Sequence, residues 1–200
     1  MSLPEHFQTG LFDTLRRRAD FTDEEIETLS RYLETRTVRK KEIYLSAGEI
    51  CRHTAYVNKG CLRRFVIDEH GKETILYFAI EDWWIGDLES FHSQKPTIYY
   101  VQALEDSELV LISRENYLRL CNDLPKYKLF HDQKVESSYY AALKRLPVAQ
   151  SGTPEERYLL LMKQQPQLFQ RIPLHYIASY LGIEPESLSR LRKRLATKKS

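Results

Sequence analysis

The sequence predicts an α+β chain in three parts: an N-terminal antiparallel β-barrel or jelly roll, a long helix, and a C-terminal helical unit. Three observations predict it. Between Arg36 and Ser113, short β-rich runs alternate with turn residues, and four of the seven glycines (Gly48, Gly60, Gly71, Gly86) fall there. Residues 126–146 then run without Gly or Pro. Beyond Thr153, apolar residues recur at helical spacing. The corresponding divisions are 1–125 for the barrel, 126–149 for the long helix and a hinge, and 150–200 for the C-terminal unit.

Each element has its own signal. Phe21, Ile26, Leu29 and Leu33 give 11–34 a helical spacing, with Thr22 or Asp23 as cap and Glu25 available for a capping box. Strands are expected at Thr54–Asn58, Cys61–Asp68, Thr74–Ile80, Tyr99–Leu104 and Glu108–Ile112. Asp68 to Lys72 reads as a hairpin loop, with Gly71 suited to positive φ. Six or more such strands in a short span suggest a small closed or double-sheet architecture. In the long helix, Val135, Tyr139, Ala142 and Leu146 are spaced 4, 3, 4, the stripe of a short coiled-coil seam. Its polar flanks favour a dimer seam, and packing on the chain's own barrel is the competing explanation. Pro147 to Pro154, with Gly152, forms a hinge. Thr153, Pro154 and Glu156 then start a helix over 154–165, with Leu159, Leu160 and Met162 as its apolar side and Pro166 as its stop.

The most informative stretch is Pro173–Ala196. Leu174, Ile177, Ala178 and Leu181 make one apolar face; Gly182 permits a tight turn; Pro185 opens a second helix in which Leu188, Leu191 and Leu195 point inward. Two helices joined this closely cross steeply, which is the geometry of a helix-turn-helix. The other face of the second helix carries Glu186, Ser189, Arg190 and Lys193, with Ser187 and Arg194 at its edges. Arginine can bond guanine bidentately, glutamate can accept from cytosine, and serine or lysine can hold phosphates. A helical hairpin with a merely solvated charged face is the bland alternative. The terminal charge favours DNA: residues 184–200 hold six Lys/Arg against two Glu, a charge of +4 within a chain of net +2, so the preceding residues carry −2.

Composition excludes other classes. With 42% hydrophobic and 12% aromatic residues the chain can build real cores. No apolar run is long enough to span a membrane, and no secretory signal opens the chain, so a cytoplasmic location is expected. Cys51, Cys61 and Cys121 form no CxxC pair and no disulfide framework. His6, His53, His70, His92, His131 and His175 are scattered with no HxH pair, which argues against a metal-dependent barrel enzyme. No nucleophile elbow, P-loop or dinucleotide fingerprint occurs. No catalytic residue, metal or cofactor is expected.

The order barrel, long helix, hinge, helix-turn-helix resembles the Crp/Fnr family of bacterial regulators over nearly all of residues 20–196. The segments YVNKGCLRRF (Tyr56–Phe65), GKETILYF (Gly71–Phe78) and WIGDLESF (Trp84–Phe91) resemble the family's cyclic-nucleotide-binding-like barrel. The stretch YIASYLGIEPESLSRLRKRL is similar to the helix-turn-helix of members common in Bacteroidetes. The resemblance implies a homodimer, double-stranded DNA as partner and RNA polymerase as a further one. Glu186 and Arg190 match the family's recognition-helix Glu and the Arg four residues on. Pro185 replaces an Arg that often reads a base, so the founding members' DNA site is not carried over. The family's winged hairpin is missing or displaced, since only five residues follow Leu195.

The same resemblance places an effector pocket at Gly86, Asp87, Leu88, Thr97 and Ile98. Gly86 and Asp87 stand where the family's phosphate cassette has Gly-Glu. Cyclic-AMP-binding members place an Arg and then a Ser or Thr ten residues after the acid; here those positions are Thr97 and Ile98, and no Arg occurs between Arg64 and Arg114. A buried phosphate without a cationic partner costs several kcal/mol, so cyclic AMP is not expected and the effector stays unassigned, with Lys95 as a substitute cation. A small-molecule-sensing or protein-interaction barrel without DNA binding is the alternative function.

Overall fold

The computed structural model describes residues 5–197, and side chains over 10–144 and 152–197. The chain divides into two units: Met1–Val66 with Leu76–Gln133, and Ile67–Ile75 with Lys134–Ser200. The long helix is therefore not a unit of its own, because its first turns pack with the barrel.

The first unit opens with α1 (Glu5–Ala19) and α2 (Asp23–Ser30). The single helix expected over 11–34 is thus two. Asp20 takes a positive φ of 49°, which breaks the first helix. Thr22 then caps the second, accepting from Glu25 N–H while the Glu25 carboxylate accepts from Thr22 N–H. Leu33 and Glu34 belong to a strand instead. The strands are β1 (Leu33–Val38), β2 (Ile43–Leu45), β3 (His53–Lys59), β4 (Leu62–Ile67), β5 (Glu73–Ala79), β6 (Trp84–Ile85), β7 (Tyr100–Ala103) and β8 (Ser107–Ser113). They form two four-stranded sheets in the orders β1-β8-β3-β6 and β2-β7-β4-β5. Pairing is antiparallel, with β8 held between β1 and β3.

The five strands expected between 54 and 112 are all present. Three were not anticipated: β1, β2 and β6. Of these, β1 has only Leu33 and Val38 buried, and β6 is two residues long, so neither carries an alternating apolar pattern. The β4–β5 loop is closed as expected. Asp68 Oδ1 accepts from the N–H groups of His70 and Lys72, and Gly71 sits at φ 79°. Gly60, between β3 and β4, is required: φ is 106°, and a Cβ there would lie 2.8 Å from the Cα of Ser107.

Both sheets feed one apolar core. Leu45, Leu62 and Val101 from one sheet meet Val57, Leu109 and Leu111 from the other, with Leu15 of α1 and Leu29 of α2 added. Helix α3 (Leu88–Ser93) lies between β6 and β7 in sequence, and α4 (Arg114–Asp123) leads into α5 (Pro125–Ser151), contributing Tyr117, Leu120, Tyr127 and Phe130 to the same core.

In the second unit α5 continues through Pro147 to Ser151, so the hinge expected from Pro147 is narrower than the sequence implied. One proline removes a single N–H donor, and Leu146, Val148, Ala149 and Gln150 around it carry no second breaker. The break comes at Gly152, where Thr153 and Glu156 form the anticipated capping box of α6 (Pro154–Gln164). On α6 the buried residues are Tyr158 and Leu161, whereas Leu159 is exposed and Leu160 and Met162 are half-buried. The expected apolar side was therefore off by one residue: the aromatic ring of Tyr158 packs edge-on against Phe169 and takes the inward position. Helices α7 (Leu168–Arg171), α8 (Leu174–Leu181) and α9 (Pro185–Thr197) complete the unit.

Candidate nucleic-acid interface and barrel cassette

The helix pair at the C-terminus is built as its sequence dictates. Ile177, Ala178 and Leu181 of α8 are buried, and Leu174 is half-buried. Gly182 ends α8 in a left-handed conformation at φ 62°, and the N–H of Ile183 returns to the carbonyl of Ala178. Leu188 and Leu191 of α9 are buried, with Leu195 half-buried beside them. The opposite face of α9 presents Glu186, Ser189, Arg190 and Lys193, all exposed. Arg190 makes a hydrogen bond to the hydroxyl of Ser187, one turn back on the same helix at 3.2 Å, which leaves most of its guanidinium donors toward solvent. Arg194 differs from the others: its guanidinium meets Glu155 of α6 at 2.6 Å and ties α9 into its own unit.

The barrel cassette is organised the other way. Asp87 is buried and caps α3, accepting from Glu89 N–H at 3.1 Å; its second oxygen accepts from the Thr97 hydroxyl at 2.6 Å. The Thr97 hydroxyl in turn accepts from Tyr99 N–H at 3.1 Å. Ser90 donates to the carbonyl of Lys95 and accepts from Cys51 N–H. Burial pushes the Cys51 thiol above its ordinary range, so it stays protonated. Of the five candidate pocket residues, Gly86, Asp87 and Thr97 are buried together, but Leu88 and Ile98 are exposed, Ile98 at 68%. The short α3 explains Leu88: Asp87 caps the helix inward, and the next residue turns out to solvent. Lys95 is exposed as well.

One residue that sequence reasoning missed is Arg64. It sits on β4, outside the stretch where the family keeps its arginine. Its Nη1 donates to the carbonyl of Gly86 at 2.9 Å, and its guanidinium lies 4.1 Å from the Tyr99 ring centroid and 5.0 Å from that of Tyr77. Its Nε is buried with no hydrogen-bond partner among the described residues. Alternation along β4 could not have singled it out, because Leu62, Arg63 and Phe65 bury both strand faces.

On α5 the candidate seam is bare in the single chain. Val135 is exposed at 37% and Tyr139 at 60%, Ala142 is exposed, and Tyr140 and Leu143 beside them are exposed too. The Leu146 side chain lies outside the described residues. Among the described residues, no group of three or more His, Cys, Asp or Glu side chains is placed to hold a metal, and no helix is long and apolar enough to cross a membrane. None of the three cysteines forms a disulfide; Cys51 and Cys61 are buried and Cys121 is half-buried.

Comparison with known proteins agrees with this anatomy. Residues 35–123 match the model of the cyclic nucleotide-binding domain. No curated protein sequence matches the chain. Among solved structures, FixK2 from Bradyrhizobium japonicum superposes with a TM-score of 0.73 at 17% identity, over 84% of this chain and 86% of its own. The c-di-GMP-responsive global regulator CLP of Xanthomonas campestris gives 0.71 at 16% identity, over 89% and 93%. The catabolite activator protein of Thermus thermophilus gives 0.51 at 22% identity, over 90% and 85%. At such identities the likeness is one of fold. The chain therefore carries a cyclic nucleotide-binding-type domain over residues 35–123, within a fold that these structures share.

Proposed function

We propose that the protein is a dimeric, cytoplasmic, DNA-binding transcription regulator of Crp/Fnr type, and not an enzyme. The observation that carries this is α9. Its buried Leu188 and Leu191 anchor it across the Gly182 turn, while Glu186, Ser189, Arg190 and Lys193 stand exposed on the face away from the core. Ser187 and Arg194 border that face, with Arg194 engaged by Glu155. A helix so mounted fits a major groove, with Arg190 and Glu186 reading base edges and Ser189 and Lys193 holding phosphates. Two copies pair along Val135, Tyr139, Ala142 and Leu146, and their recognition helices enter grooves about 34 Å apart on a two-fold site. RNA polymerase is the partner through which such a dimer acts on transcription.

The barrel works as a sensor or scaffold that does not take cyclic AMP in the usual way. Thr97 donates to Asp87, each also accepts from a nearby backbone N–H, and the cassette's cation is Arg64 from β4, engaged with Gly86. Any effector acts by binding one arrangement of the dimer more tightly than the other.

The test is selection of duplexes from a random pool by the purified protein at two salt concentrations. A two-fold-symmetric site whose affinity falls steeply with salt is the expected result, since several phosphates are neutralised on binding. Enrichment of no sequence, with salt-insensitive retention, overturns the reading and leaves a barrel whose tail does not bind DNA.

A further inference from the structure

Helix α6 joins the end of α5 to the helix-turn-helix, and one side chain in its first turns reaches both. Arg157 is half-buried. Its Nε donates to the carbonyl of Leu181 at 2.8 Å, and its Nη1 donates to the carbonyl of Gly152 at 2.6 Å. Both carbonyls belong to breaks in the chain. Gly152 separates α5 from α6, and Leu181 is the last residue of α8, just before the left-handed Gly182 that turns the chain toward α9. Carbonyls at helix C-termini have no partner within their helix and sit at the negative end of the helix dipole. A guanidinium presents several donors in a rigid plane, so it can serve two such carbonyls in one fixed geometry; an ammonium cannot hold that geometry.

The neighbouring residues reinforce the junction. Glu155, two positions before Arg157, pairs with Arg194 of α9 at 2.6 Å. Thr153 and Glu156 lock the start of α6 with reciprocal capping bonds. The first turns of α6 thus hold the end of α5, the end of α8 and the flank of α9 at once.

We propose that Arg157 is a positioning residue: it fixes the direction of α9 relative to the end of α5, and so sets the half-site spacing that the dimer accepts. The inference rests on the DNA-binding reading above. Arg157 touches no base or phosphate in this scheme; it acts through the two carbonyls it joins.

The experiment compares the wild-type protein with Arg157→Gln and Arg157→Lys on the selected two-fold site and on versions with one or two base pairs inserted or removed at the centre. The rigid wild type is expected to lose about tenfold or more in affinity per base pair of altered spacing, because half-site separation is a geometric property of the dimer. Arg157→Gln is expected to cut that discrimination to less than about threefold while leaving the salt dependence unchanged, since no phosphate contact is removed. Arg157→Lys, which can keep one of the two bonds, should fall between. If Arg157→Gln is not folded by circular dichroism, Arg157→Lys carries the test. Undiminished spacing discrimination in the folded variants overturns the proposal even if their absolute affinity drops. A wild-type protein that selects no site overturns the DNA-binding reading, and this inference with it.

Discussion

The barrel cassette and helix α9 contain similar residue types and use them in opposite ways. In the cassette, Asp87, Thr97 and Arg64 point inward and spend their hydrogen bonds on one another's neighbourhoods: Thr97 on Asp87, Arg64 on Gly86. On α9, Glu186, Ser189, Arg190 and Lys193 are exposed, and Arg190 gives one bond to its own helix. A charged group satisfied by its own chain, as the Asp87 carboxylate is, contributes to folding, and an outside ligand gains little by competing for it; Arg64 is satisfied only in part, since its Nε has no partner among the described residues. A charged group held in water at low cost is available to a polyanion. The same contrast divides α9 itself: Arg194, held by Glu155, serves the fold, whereas Arg190 four residues earlier is free to serve a partner.

If that contrast is right, substitution in the cassette should move stability and substitution on α9 should move binding. The largest effect is expected at Asp87. Asp87→Ala leaves the Thr97 hydroxyl and the Glu89 N–H without their acceptor in a buried site, a loss of about 3 kcal/mol. In a chain of this size that lowers the melting temperature by roughly 10 °C, read by thermal denaturation. A melting temperature within a degree or two of wild type would show that the cassette is not self-supporting. The next effect is at Arg190. Arg190→Ala should weaken binding to the selected duplex by roughly 1–3 kcal/mol and relax preference at one base position, while changing stability by less than about 0.5 kcal/mol as exposed substitutions do. A stability loss as large as the binding loss would place Arg190 with the structural residues and erase the contrast.

The sequence disclosed these two regions unequally, for physical reasons. The α8–α9 helix pair was legible because its constraints are local: Ile177, Ala178 and Leu181, the Gly182 turn, and Leu188 and Leu191 all fall within fifteen residues. The β4–β5 loop was legible for the same reason, since Asp68 bonds His70 and Lys72 nearby in sequence. The cassette was read only in part. Asp87 and Thr97 are ten residues apart and did come together, but Arg64 joins them from a strand 22 residues away from Gly86. Sequence spacing does not show which distant side chain a sheet brings to a site. Lys95, close in sequence, was the natural substitute cation, and it points to solvent. The seam on α5 was visible as a stripe of spacing 4, 3, 4, and Val135 and Tyr139 on it are exposed, but spacing alone does not say what covers such a stripe.

The smallest effect follows from protons, which probe the inward-facing chemistry of the first unit. His131 of α5 has a side chain only 11% exposed, with Nδ1 3.2 Å from the Tyr117 hydroxyl and its ring centroid 6.3 Å from that of His92. Burial pushes both imidazoles below their ordinary pKa. The next cause is Arg114 for His92, and for His131 it is His92 itself. Asp132, 3.7 Å from His131, opposes the shift, but it also pairs with Lys128, while burial keeps the nearby Cys121 thiol protonated. The folded state therefore prefers both rings neutral, whereas the unfolded chain binds protons with a pKa of about 6.5. Below that pH the unfolded state holds more protons, so stability is fully present above about pH 6.5 and falls as the pH drops through it, until the lower folded pKa values are passed. Melting temperatures measured from pH 7.5 to 5.5 should decline, and His131→Gln, which keeps a polar group near Tyr117 but cannot titrate, should decline less steeply. An identical slope in the variant would move the proton uptake to other groups and remove the α5 root from the inward-facing half of the comparison.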